Sequence, residues 1–261
     1  KTGGGDAHIK SEVLTDFLYQ ATGVGVPRFM VDQEGKFTKI AEFIEGTELK
    51  YLSASEREKA DKEIRKDFVY DALFGNWDVI GLVEDNILLD NDGKVYRIDN
   101  GGSLRFRAGG KLKEDSQGNS LFTKTVNELD SMRDPSNDAG KVFGTLTDKE
   151  VAAQINDLLE NHRHTILSAV AHDSELQDIM WGRLAYLEQW ADAKKSDALP
   201  KPPGKASKFL DKAKVRIESI AAGSHFKPAQ KAWIKIWTDK AVLSMQNAGI
   251  SNDNIGKIVS A

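Results

Sequence analysis

Gly75-Asn76-Trp77-Asp78-Val79-Ile80-Gly81-Leu82-Val83-Glu84-Asp85-Asn86-Ile87-Leu88-Leu89, with Tyr96-Arg97-Ile98-Asp99-Asn100-Gly101-Gly102 shortly after, carries the densest information in this chain. Asn86 to Asp90 has the composition of a strand, Asn91-Asp92-Gly93 that of a tight turn, and Lys94 to Ile98 that of a returning strand. Asp-Gly between apolar runs is a strong hairpin signal. The hairpin brings Asn86 and Asp99 together at its open end, one entering and one leaving. There a short polar side chain from each is placed to grip one hydrated cation. Asp78, on the preceding loop, adds a carboxylate. Metal ligands, an orienting carboxylate and little covalent help are what phosphoryl transfer asks of a protein.

These residues resemble the protein-kinase-like superfamily. The resemblance implies that Asp78 matches the catalytic-loop Asp, Asn86 the metal-binding Asn and Asp99-Asn100-Gly101 the metal-binding turn. The chain looks most like the atypical branch: phosphoinositide-kinase-like, actin-fragmin-kinase-like and HipA-like proteins, and kinase-like domains of phage and bacterial origin. It has no His-Arg-Asp, and seven residues separate Asp78 from Asn86, a longer gap than in the family pattern. Asp85, beside Asn86, is the other candidate for that ligand.

Upstream, Lys1 is followed by Glu12-Val13-Leu14-Thr15-Asp16-Phe17-Leu18-Tyr19, a helical pattern with Val13, Leu14, Phe17 and Leu18 on one face. The resemblance implies that Lys1 contacts the nucleotide phosphates and that Glu12 holds it there. A second hairpin follows: Gly23 to Pro27 turns into Arg28 to Val31, and Gln33-Glu34-Gly35 leads to Phe37 through Ile44. Its end, Glu42-Phe43-Ile44-Glu45-Gly46, is similar to the hinge where kinases offer backbone groups to adenine, which makes Phe43 and Ile44 nucleotide-site candidates. With Lys1 in that role, the strands and Gly-rich loop over the phosphates precede this chain. Gly3-Gly4-Gly5 lacks the spacing of a phosphate-cradling loop and reads as a flexible turn. The expected fold is α+β: a kinase-like two-lobe fold with a truncated N-terminal lobe and a mostly helical C-terminal lobe.

At 261 residues and 40% hydrophobic content, the chain can bury one large core or two smaller ones. Lys+Arg of 36 against Asp+Glu of 40 leaves a net charge of −4, and no basic run stands out, so nucleic acid is not the expected partner. The absence of cysteine excludes a disulfide framework and thiolate-bound zinc. There is no long apolar run of membrane-span length and no signal peptide at the visible start. The expected location is the cytoplasm, or the host cytosol for a phage or effector protein.

Three regions are expected: a partial N-lobe over 1-50, a C-lobe with the catalytic and metal-binding loops over 51-198, and a Pro-rich linker with a helical tail over 199-261. Ser53 with Glu56, and Thr147 with Glu150, are capping boxes that open helices. The first helix spans 53 to 74, and the second has Val151, Ile155, Leu158 and Leu159 on its apolar face. A later helix carries Ile179, Leu184 and Leu187. The polar segment 111 to 146 occupies the place of an activation or substrate loop, or is simple connection. Leu199-Pro200-Lys201-Pro202-Pro203-Gly204 marks the linker, because proline fixes φ and removes donors. In the tail, Trp233 and Trp237 read as a core pair rather than a base-stacking platform.

Arg97, Arg105 and Arg107 alternate around the Asp99 turn, which suits either a phosphate or carboxylate ligand or a solvated strand face. His162 and His164 point to different faces of a helix, which argues against zinc. No Gly-x-Ser-x-Gly elbow is present. The expected activity is ATP- and Mg²⁺-dependent phosphotransfer to a hydroxyl of a protein, lipid or small-molecule acceptor. The alternatives are a non-catalytic, pseudokinase-type interaction domain of a larger polypeptide, and nucleotidyl transfer by the same fold.

Overall fold

Short helices and short antiparallel strands alternate along the computed structural model, which describes residues 5–34 and 37–196. The chain divides into two units, Lys1–Ala198 and Leu199–Ala261. Lys1, the linker and the tail with Trp233 and Trp237 lie outside the described residues. The architecture is α+β, with helices around two small antiparallel sheets. None of the described helices is long and apolar enough to cross a membrane.

Helix α1 (Asp6–Ala21) leads into the hairpin of β1 (Phe29–Asp32) and β2 (Thr38–Ala41), with Phe29 opposite Ala41. Glu42 to Glu45 then carries the chain to β3 (Gly46–Glu48), the edge of a second sheet ordered β3, β4 (Ile87–Asp90), β5 (Val95–Arg97). The expected Asn86–Ile98 hairpin forms, with Ile87 opposite Arg97 and the Ile98 N–H bonded to the Asn86 carbonyl at 3.0 Å. Strand β3 was not anticipated. It is three residues long and largely exposed, so it leaves no alternation to read.

Both capping boxes close as expected, at Ser53 and Thr147. The helix expected over 53 to 74 breaks, however, into α2 (Ala54–Lys66) and α3 (Phe68–Leu73), with Asp67 between them. The reason lies in polarity. α2 buries only Ala60 and Ile64, whereas every residue of α3 is buried, so the two segments take different paths relative to the core.

The segment 111 to 146 is not purely irregular. Isolated bridges Phe106–Leu112 and Glu114–Ser120 precede α4 (Glu128–Ser131) and α5 (Asp138–Phe143). α6 (Asp148–Asn161), α7 (Arg163–Ala169) and α8 (Ser174–Ser196) complete the unit. Val151, Ile155 and Leu158 of α6 are buried as expected, and α8 buries Leu176, Met180, Leu184, Leu187 and Ala191, a helical stripe. One continuous apolar cluster joins Leu18 and Tyr19 of α1 through α3 to α8.

Two side-chain readings are corrected. The expected apolar face of α1 is only partly the buried one: Leu18 is buried and Leu14 packs on the core, but Phe17 is exposed, and the inner stripe also holds His8, Ile9, Glu12, Thr15, Asp16 and Tyr19. Polar groups on that stripe have partners across the core, which an apolar count overlooks. Arg97 is neither a phosphate ligand nor a solvated strand residue. It is buried and donates from Nε and an Nη to both oxygens of Asp71 at 2.6 Å, with Asp67 at 3.2 Å. Arg105 is likewise engaged, gripping Asp173 through two bonds.

Candidate active site

Asp78 and Asn86 meet directly. The Asn86 side-chain amide donates to the Asp78 backbone carbonyl at 2.6 Å and to its Oδ2 at 3.3 Å. Its nitrogen is thus committed, and its carbonyl oxygen is the atom suited to a hard cation. The Asp85 carboxylate turns back toward Gly81, where an added Cβ would lie 2.3 Å from its Oδ1. Of the two candidates for the loop ligand, Asn86 is the one that reaches Asp78.

Asp99 opens a turn that uses its own carboxylate, Oδ1 accepting from the Gly101 N–H at 3.2 Å. The two glycines after it permit close approach on opposite sides. A Cβ at Gly101 would lie 2.9 Å from His8 Nε2 and 3.2 Å from a Glu12 carboxylate oxygen, and one at Gly102 would lie 3.0 Å from the Asp78 Cβ. Glycine at both positions therefore seats the Asp99 turn between α1 and the Asp78 loop. His8 Nε2 also bonds the Gly101 carbonyl at 2.9 Å.

Glu12 is buried on α1 and accepts from Lys39 Nζ of β2 at 2.8 Å. Lys39 also pairs with Asp16. The resemblance gives Glu12 the partner Lys1, which lies outside the described residues; among the described residues its ion-pair partner is Lys39. Burial raises the Asp16 carboxyl above its usual range, and Lys39 opposes this. The two carboxylates in turn hold Lys39 above the ordinary lysine value against burial. Phe43 and Ile44 sit on the connector between the two sheets, Phe43 exposed and Ile44 half-buried.

A chain of buried hydrogen bonds ties these parts together. Asn100, in the middle of the turn, donates to Asp16 at 2.8 Å and accepts from Asn76 at 3.1 Å. Asn76 also donates to the Tyr19 hydroxyl, which donates to Asp71, the partner of Arg97. The network thus couples α1, β2, the Asp99 turn, the Asp78 loop and α3. Burial drives the Asp71 carboxyl upward and Arg97 restrains it.

A second set of contacts braces the Asp78 loop from below. Trp77 Nε1 donates to Glu128 at 2.9 Å, and Glu128 accepts from Arg183 at 2.8 Å. Arg183, fully buried on α8, also donates to the carbonyls of Ala72 and Leu73 at the end of α3 and to those of Thr123 and Thr125. It thereby caps the end of α3, where the Ala72 carbonyl also accepts from the Gly75 N–H at 3.0 Å. Lys113, also buried, donates to the Gly75 and Leu104 carbonyls, with its Nζ 4.7 Å from the Trp77 ring centre.

Burial pushes the Lys113 ammonium down to about 7; Glu128 opposes this, and Arg183 and Arg107 add to the fall. The folded chain therefore holds this proton less tightly than the unfolded chain does. The penalty is full below a pH of about 7 and fades as pH rises toward the ordinary lysine range. Stability measured by urea unfolding is expected to rise across that window in the native chain relative to Lys113→Met. A difference that stays flat with pH contradicts this account of Lys113.

Beside Asp78 lies a cleft of about 260 Å³, reached from solvent and bounded by Trp77, Leu82, Met132 and Asp138 among others. Among the described residues, no three His, Cys, Asp or Glu side chains gather into a metal-binding group. Set against known proteins, the chain matches no family model, no curated protein and no solved structure.

Proposed function

We propose that this chain is an ATP- and Mg²⁺-dependent phosphotransferase with a kinase-like two-lobe arrangement, acting on a hydroxyl acceptor. The observation that carries the reading is the meeting of Asp78, Asn86 and the Asp99 turn, with that turn seated against Glu12, the partner of Lys39. The donor set suits the metal. Mg²⁺ takes few protein oxygens and completes its shell with water and substrate phosphates, and one carboxylate from Asp99 with the Asn86 amide oxygen meets that need. Bound there, the metal would neutralise phosphate charge.

The remaining roles fall to the chain. Asp78 faces the open cleft and accepts the acceptor proton or fixes the hydroxyl. The acceptor oxygen bonds to the γ-phosphorus, the bond from that phosphorus to the bridging oxygen breaks, and ADP leaves. Lys39, held by Glu12 and by the Asp16 carboxylate that also accepts from Asn100 of the Asp99 turn, is the candidate cation for the phosphate end. The connector with Phe43 and Ile44 is the adenine-side candidate.

Product identity tests this reading. Incubation with Mg²⁺ and ATP is expected to release ADP, slowly with water as acceptor. Release of pyrophosphate instead would assign nucleotidyl transfer to the same site. Absence of both, with every acceptor class supplied, would overturn catalysis.

A further inference from the structure

The cleft beside Asp78 has a lining that speaks to the acceptor. Its charged members are Asp78 and Asp138, with no lysine or arginine among the lining residues. Asp138 is paired with Lys141 at 2.6 Å on an exposed helix face, a contact of little energy that an incoming cation can replace. The lining itself thus offers an anionic acceptor, such as a phosphorylated lipid headgroup, two carboxylates and no cation, since the nearby Lys141 is engaged by Asp138.

The rim is apolar and held open. Leu82 and Val83 are 88% and 58% exposed at the tip of the loop. The backbone on either side is left-handed, φ 79° at Gly81 and 58° at Glu84. A non-glycine residue in that region is strained and persists only where its surroundings enforce it. The enforcing contact is Arg57, which grips the Glu84 carboxylate at 2.6 and 3.2 Å while its Nε holds Asp61 at 2.7 Å. Leu82, which lines the mouth of the cleft, and Val83 beyond it are thus displayed by an anchored loop. A small molecule inside the cleft would leave Val83 and much of Leu82 wet, whereas a polypeptide crossing the rim would cover both.

We propose that this cleft is the acceptor subsite and that it takes a basic polypeptide segment. The segment presents a Ser or Thr hydroxyl to Asp78, lays an apolar residue on Leu82 and Val83, and brings a Lys or Arg to Asp138. This inference rests on the reading of Asp78 as the acceptor-facing carboxylate.

The test uses the full chain and a labelled short peptide with a single Ser between Leu and Arg residues, beside a twin with Glu replacing each Arg. Fluorescence anisotropy is expected to show the Arg peptide bound roughly tenfold tighter at low salt, the preference shrinking as salt rises. Asp138→Lys should remove the preference. Leu82→Ser, at an exposed position where folding is unaffected, should weaken both peptides alike. Equal binding of the twins, or a preference untouched by Asp138→Lys, overturns the proposal. Mass analysis with Mg²⁺ and ATP separates the two levels. Selective binding without phosphate on the peptide upholds the peptide site and overturns the phosphotransferase reading; ADP release with no peptide preference does the reverse.

Discussion

Arg97→Met is expected to destabilise the chain by about 3–5 kcal/mol, the usual cost of removing one partner of a buried ion pair. Arg97 is 1% exposed, and Asp71, its bidentate partner, is fully buried. Losing the guanidinium leaves Asp71 with the Tyr19 hydroxyl as a donor, too little to hold a carboxylate away from water. The sign of the pH dependence follows. Burial already raises the Asp71 carboxyl, and without Arg97 it rises further, so the folded variant binds a proton that the unfolded chain releases. The loss should therefore shrink as pH falls. A double variant, Asp71→Leu with Arg97→Met, should recover much of the stability, because apolar replacement of a whole buried pair is often neutral. Urea unfolding midpoints check all three statements. A loss under about 1 kcal/mol for Arg97→Met contradicts the view that this pair organises the core beneath the site.

Asp78→Asn is expected to lower turnover by about 10²–10⁴-fold, the range attributed to a positioned acid or base, while leaving Mg²⁺-ATP affinity in place. The substitution keeps the shape of the side chain and the backbone carbonyl that accepts from Asn86 at 2.6 Å, so the loop should hold. Initial rates of ADP release with a saturating acceptor, beside calorimetric affinity for the nucleotide, separate the two effects. Retention of full turnover would remove Asp78 from the chemistry. A matched loss of nucleotide affinity would place it among the metal ligands instead.

Local rules made part of this site legible. Asp92-Gly93 between apolar runs announced the hairpin, and its register puts Asn86 opposite Ile98, one residue from Asp99. Ser53–Glu56 and Thr147–Glu150 announced two helix starts. The polar network was not legible, since its bonds join residues 52, 57 and 84 positions apart, each an ordinary polar residue in its own neighbourhood. A signal was present nonetheless. Asp71 stands inside Phe68-Val69-Tyr70-Asp71-Ala72-Leu73-Phe74, and a charge within an all-apolar helix calls for a buried partner. Glu12, Asp16 and Tyr19 share the inner stripe of α1 with Ile9, so the polar residues there, rather than Phe17, marked the face turned to the site. The same reasoning brings Lys39 forward: it is a lysine on the buried side of a strand, facing two carboxylates.

The proposed metal–nucleotide site at the Asp99 turn and Asn86 is read out by calorimetric titration of ATP into the full chain, with and without Mg²⁺, and into Asp99→Asn. Binding should require Mg²⁺ and be lost in Asp99→Asn, while Asp78→Asn binds as the native chain does. Binding that ignores Mg²⁺, or survives Asp99→Asn unchanged, would contradict it.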